Sequence, residues 1–206
     1  MIELSENLFE IVVIAFCFSV SLRSVMRERK RSRTLLALFY AAMLLGNLYW
    51  TLYLFFFRRT PQVFYVSELS WLAGFLFLIL LLRHYQTDAE RAVRSPILWI
   101  IPAFVTGMML FYFKWGDYLL NLADAFLMGI LMVRSAQGLI AQGKKPDGRK
   151  MLYAVMMAFC LIEYALWTSS CFWMGDTIKN PYFWIGLGQM AVLLLFYKAV
   201  DKAESV

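Results

Sequence analysis

Four polar side chains sit where apolar runs leave little room for them. Glu163 lies within "MMAFCLIEYALWTSSCFW", Asp124 within "NLADAFLMGILM", Asn47 within "LLGNLYW" and Gln189 within "GLGQMAVLLLF". A bare carboxylate out of water is too costly to leave uncompensated, so such a group takes up a proton or pairs with a cation. The spacing of the neighbours adds to this. Asn47 and Trp50 are three positions apart, as are Glu68 and Trp71, and Asn121 and Asp124; Glu163 and Trp167 are four apart. Residues at those separations share a helix face. The chemistry expected is therefore capture of a small cationic or aromatic ligand by Asn47, Trp50, Glu68, Trp71, Asn121, Asp124, Glu163, Trp167 and Gln189. Asp124 and Glu163 would couple a proton or a cation, and the indoles would add cation–π attraction.

Plainer roles compete at each position. Asn47 and Gln189 also suit hydrogen bonds that cross-link helices. Glu68 is shallow enough to be solvated, and Asp124 and Glu163 also admit a structural role. Trp173 and Trp184 equally suit an interfacial aromatic belt.

The elements that must position these groups are membrane helices. Of 206 residues, 62% are hydrophobic and 17% aromatic, against about 45–50% apolar in soluble domains. One membrane domain spanning 1–206 is expected, all-α and polytopic. A bilayer core of about 30 Å needs about 20 apolar residues per helix. Seven segments qualify, at about 7–26, 35–57, 64–83, 96–113, 117–140, 150–173 and 182–200. The acidic start, "MIELSENLFE", lacks the basic region of a cleavable signal, and none is expected. Cys17, Cys160 and Cys171 all lie in apolar runs with no disulfide or metal spacing, so they read as packing residues.

The net charge of +6 does not point to nucleic acid, because the basic residues fall between apolar segments. With the N-terminus outside, sixteen of the twenty Lys and Arg lie on the inner side. Positive-inside topology therefore predicts N-out, C-in insertion in the plasma (inner) membrane. At 1.5 Å per residue, Glu163 lies about 15 Å below the outer end of its segment, and Asp124, Gln189, Trp50, Trp71 and Trp167 about 9–10 Å in. The polar groups of five helices thus occupy one band of the outer half. No Lys or Arg is predicted at that depth.

The seven segments divide as three, one and three. Placing 34–56 over 151–173 makes seven of 23 pairs identical, including Trp50-Thr51 over Trp167-Thr168. Arg23-Ser24 meets Arg134-Ser135 at an offset that also pairs Glu6 with Asp117 and Glu10 with Asn121. "ELSWLA" at 68–73 meets "GLGQMA" at 186–191. A parallel 3+1+3 repeat is expected, with repeat 1 at about 6–83, a linker helix at about 96–113 and repeat 2 at about 117–200.

This layout resembles the SWEET and PQ-loop transporters, in which a linker helix joins two three-helix bundles with the N-terminus outside. The resemblance covers nearly the whole chain and implies carriage of a small molecule. It does not extend to the family's proline hinges: Pro61-Gln62 falls in the loop before the third segment, and the first and fifth segments hold no proline. The stretch "LGNLYWTLYLFFFRRTPQVFYVSELSWLAGFLFL" is also similar, more loosely, to multi-span input regions of bacterial histidine kinases.

Catalysis is not expected. The single histidine, His84, cannot build a multi-histidine zinc centre, and no serine sits in a recognisable nucleophile elbow. Lys198 lies at the inner end of its segment, away from where a retinal-binding lysine would be. No metal, cofactor or nucleic-acid partner is expected. Two functions remain: a carrier of a small molecule, or a receptor that signals to a cytoplasmic partner. "RERKRSR" and "GKKPDGRK" could dock such a partner, although topology and anionic lipid account for them too. Assembly with further copies of the chain is left open.

Overall fold

In lipid, backbone amides find partners only in one another, so long apolar runs must be helical. The computed structural model describes residues 2–59, 61, 66–143, 147–173, 175 and 177–205. In chain order the elements are α1 (Ile2–Glu28), α2 (Arg31–Phe57), α3 (Val66–Tyr85), α4 (Asp88–Arg91), a 3-10 turn (Pro96–Trp99), α5 (Ile100–Tyr112), α6 (Tyr118–Ala141), α7 (Arg149–Phe172) and α8 (Pro181–Glu204). Residues 60, 62–65 and 144–146, which belong to stretches singled out above, lie outside the described residues.

Six of these helices, α1, α2, α3, α6, α7 and α8, are long and apolar enough to cross a membrane. The chain is a polytopic, all-helical membrane protein. The fourth expected span differs from the others. Pro96–Tyr112 forms a shorter apolar helix, a 3-10 turn of four residues running into thirteen of α5. Its rise is about 27 Å, slightly less than the hydrocarbon thickness of about 30 Å. The expected break "TDAERAVRSP" also holds a helical turn. The Thr87 hydroxyl accepts from Glu90 N (3.3 Å) and Glu90 Oε2 accepts from Thr87 N (2.8 Å), a reciprocal capping box.

Other ends are set in the same way. Asp117 caps α6 by accepting from Leu119 N and Leu120 N, and Asn180 caps α8 ahead of Pro181. Arg58 closes α2 in the left-handed conformation.

The six long helices pack on their neighbours in chain order. α1 packs on α2 and α2 on α3; α6 packs on α7 and α7 on α8. Two further contacts close the ring, α3 on α6 and α8 on α1, while α5 leans on α6. Phe39 (α2), Phe75 (α3), Phe159 (α7) and Phe196 (α8) meet at the centre with ring centroids 5.3–6.0 Å apart, three of the four contacts edge-on. Large apolar residues such as Phe16, Phe56, Phe126 and Leu161 are exposed on the outside, as a lipid-facing surface requires.

Two polar braces hold one end of the bundle. Arg33, at the start of α2, donates to Glu204 (2.9 and 3.2 Å) and Asp201 (2.8 Å) of α8, and stacks 4.9 Å from the Tyr197 ring. Arg149, at the start of α7, meets Glu90 of α4 at 3.3 Å. Glu90 also accepts from Gln142 (2.9 Å) and Tyr153 (3.0 Å). Reading the run "RERKRSR" as a solvated docking surface therefore does not extend to Arg33, which is only 2% exposed and bonded to α8 through Nε and Nη2. Burial opposes ionisation of Glu90, yet the hydrogen bonds from Gln142, the Thr87 backbone and Tyr153 outweigh it and hold the carboxyl below the usual carboxylate range. Asp147 is held low as well, chiefly by the Arg149 guanidinium.

Candidate functional site

The opposite end of the bundle contains a cavity of about 290 Å³. Here α1, α3, α6 and α8 begin and α2 and α7 end, so each helix contributes its terminal turns. All nine residues singled out from the sequence line this one cavity: Asn47 and Trp50 from α2, Glu68 and Trp71 from α3, Asn121 and Asp124 from α6, Glu163 and Trp167 from α7, and Gln189 from α8. Their spacing puts each pair on an inward face, and the ring closure of α3 on α6 and α8 on α1 brings those faces together.

A hydrogen-bonded chain runs along one wall. The Trp71 indole N–H donates to Asn47 Oδ1 (3.2 Å), and Asn47 Nδ2 donates to Glu10 Oε1 (3.0 Å). Trp71 fits there because Gly46 leaves room, and its ring lies 5.7 Å from Trp50. On the far wall Gln189 Nε2 donates to Glu163 Oε1. Glu163 is 9% exposed, and Gln189 only 2%. Asn121 Nδ2 donates to Tyr112 O (3.0 Å), and Tyr112 in turn donates to Tyr164 O (3.0 Å) and packs edge-on to Trp167. Phe75, one of the four central phenylalanines, lies at the cavity's inner end.

Sequence reasoning missed several lining residues. Glu6 and Glu10 of α1 face the cavity, as do Tyr112, Trp115 and Tyr182. Placing the first segment at 7–26 left Glu6 outside it, although Glu6 and Glu10 are four apart and so share a face. Trp115 and Tyr182 carried no such signal, because they lie at the borders of expected segments. Trp173 and Trp184 are exposed and do not line the cavity. His84 and Lys198 are exposed near the braced end, away from it. Cys17 and Cys160 are buried free thiols, and Cys171 is a free thiol on the cavity wall.

No family model, curated protein or solved structure matches the chain. The chemistry of the cavity must be read from its own walls.

Five carboxylates line it, Glu6, Glu10, Glu68, Asp124 and Glu163, together with four tryptophans, Trp50, Trp71, Trp115 and Trp167. Among the described residues, no Lys or Arg lines the cavity. The acids lie within electrostatic reach of one another: Glu163 of Glu10 and Asp124, and Asp124 of Glu68. Like charges in a low-dielectric chamber repel strongly, and protons or a cationic guest would relieve them. Among the described residues, no three His, Cys, Asp or Glu side chains are grouped so as to hold a metal ion. The indole faces offer the complementary attraction for an organic cation.

Proposed function

We propose that the protein carries a small, positively charged ligand across the membrane by way of this cavity. The observation that carries the reading is the lining: five carboxylates and four tryptophans, with no Lys or Arg among the described residues that form it. Charged groups at this depth in lipid are costly, and a guest of opposite sign compensates them.

In this reading Pro96–Tyr112 spans the membrane as the seventh helix, with slight thinning of the bilayer or little tilt. The N-terminus lies outside and the C-terminus in the cytoplasm of the plasma (inner) membrane, because sixteen of the twenty basic residues then fall inside. The cavity opens outward, and the two braces close the inner end. The two sets of three helices form a parallel repeat linked by α5, the arrangement of the SWEET and PQ-loop carriers. Two correspondences support this. Contacts of α3 on α6 and α8 on α1 are equivalent under the repeat. Gly46 beneath Trp71 also occupies the aligned positions of Glu163 beside Gln189.

Carriage then proceeds by rocking of one set against the other around the central site. Entry of the cation compensates Glu163 and Asp124. Release of the braces at the inner end, with parting of the four phenylalanines, opens the way to the cytoplasm.

Reconstitution into liposomes tests this. An inside-negative potential should drive uptake of radiolabelled guanidinium or tetramethylammonium above the protein-free level, and Glu163→Gln should abolish it. Saturable binding without uptake makes the protein a receptor instead, signalling through a cytoplasmic partner. Neither binding nor uptake of either ion refutes the cation reading.

A further inference from the structure

The cavity walls present unpaired buried acceptors beside amide donors that are already engaged. Each amide nitrogen that lines it already donates within the protein: Asn47 Nδ2 to Glu10, Asn121 Nδ2 to Tyr112 O, and Gln189 Nε2 to Glu163. The matching acceptors are not all used. Gln189 Oε1 is buried without a hydrogen-bond partner, on a side chain 98% withdrawn from solvent, and Glu6 Oε2 is buried and unpartnered too. Both residues line the cavity and come from helices that pack on each other, α8 and α1. A buried acceptor left unpaired costs about 1–3 kcal/mol, so a donor is called for at two places on the wall, one at Gln189 next to Glu163 and one at Glu6 of α1.

We propose that the ligand is an organic cation bearing N–H groups, a primary ammonium or a guanidinium on a small apolar or aromatic body, with its charge at Glu163 and its hydrogens on Gln189 Oε1 and Glu6 Oε2. An ammonium supplies three donors and a guanidinium five, whereas a quaternary ammonium supplies none. A quaternary guest would meet the charge and the indoles but leave both acceptors unpaired. A volume of about 290 Å³ sits at the lower edge of ligand pockets, roughly 300–1,000 Å³. It suits a charged head with a single ring or short chain. This inference rests on the cation reading above and adds the class of nitrogen.

The test uses the full chain in lipid nanodiscs and two probes that share a body and a charge: phenethylammonium and its N,N,N-trimethyl analogue. Calorimetry or tryptophan fluorescence at neutral pH gives both affinities. Phenethylammonium should bind at least tenfold tighter. Gln189→Met should shrink that ratio to threefold or less, and Glu6→Gln should reduce it in the same direction while keeping a side chain of the same shape. Thermal melts confirm that each variant is folded, and Glu6→Gln carries the test if Gln189→Met is not. Equal or tighter binding of the trimethyl analogue overturns the N–H inference and leaves the cation reading standing. Binding of neutral 2-phenylethanol in preference to both cations overturns the cation reading itself. A ratio that survives both substitutions overturns the assignment to these acceptors.

Discussion

Arg33 is the most deeply buried basic side chain among the described residues, and replacing it with methionine measures what the α2–α8 brace contributes. Removing one partner of a buried ion pair costs about 3–5 kcal/mol, chiefly because the remaining charge is stranded. Here the stranding is partial. Asp201 is 64% exposed and returns to water, while Glu204 keeps Lys30 at 3.0 Å, the Ser32 hydroxyl and the Tyr85 hydroxyl at 3.3 Å. That lowers the electrostatic cost to about 2–3 kcal/mol. Loss of the guanidinium from the Tyr197 face adds about 0.5–1 kcal/mol. Arg33→Met should therefore destabilise by about 3 kcal/mol, roughly a hundredfold in the unfolding equilibrium. Arg33→Lys should fall between, since a compact ammonium cannot span both carboxylates. Asp201→Asn should cost less than about 1 kcal/mol, as exposed pairs do. Equilibrium unfolding in mixed detergent micelles, followed by tryptophan fluorescence, reads all three. Wild-type stability in Arg33→Met, or equal damage from Asp201→Asn, would refute this account of the brace.

Three further substitutions probe other parts of the fold. At Gly46 an added Cβ would stand 2.6 Å from Trp71 Nε1, 2.8 Å from Trp71 Cδ1 and 3.1 Å from Ser67 O. Gly46→Ala should cost about 1–3 kcal/mol and shift the tryptophan emission as the indole leaves Asn47; an unchanged spectrum and melt would sink that packing argument. Gly107 has nothing within 4 Å of such a Cβ, so Gly107→Ala should leave stability unchanged or raise it by up to about 1 kcal/mol. Glu90 is held below the ordinary carboxylate range in the fold, so its contribution is fully present above the unfolded value and fades as pH falls through the folded one. Melting temperature should drop on acidification in the wild type and drop less in Glu90→Gln, and parallel pH profiles would show that the Glu90 network contributes nothing.

The cavity was legible because its residues obey two independent rules. Polar side chains in lipid turn inward, and partners three or four positions apart share a face, so Asn47 with Trp50 and Glu163 with Trp167 declared a direction as well as a depth. Glu6 and Glu10 were harder to place because the end of the first apolar segment is gradual, and an edge drawn at residue 7 excludes the first of them. The braces were hidden for a different reason. A basic run next to a membrane span reads as topology, and nothing local marks Arg33 as the basic residue of its run that is buried against α8, with Lys30 and Ser32 bonded to the same Glu204. The α8 partners of Arg33 are 168 and 171 positions away. The helical turn at 88–91 could have been read from Thr87 and Glu90, whose spacing is that of a capping box. The fourth apolar helix, expected at 96–113, runs over Pro96–Tyr112, bounded by a proline at its start and a glycine-bearing turn at its end.

The braces are reciprocal: α2 is anchored by a carboxylate from the end of the chain, and α7 by one that follows α3. Each brace thus ties an element that precedes α5 to one that follows it. A polypeptide severed in the α5 region would leave Glu204 without Lys30, Ser32, Arg33 and Tyr85, and Glu90 without Gln142, Arg149 and Tyr153, partners that only the matching fragment supplies. Sequence drift in one fragment is therefore constrained by the other, much as in an obligate heterodimer whose subunits happen to be written in a single chain.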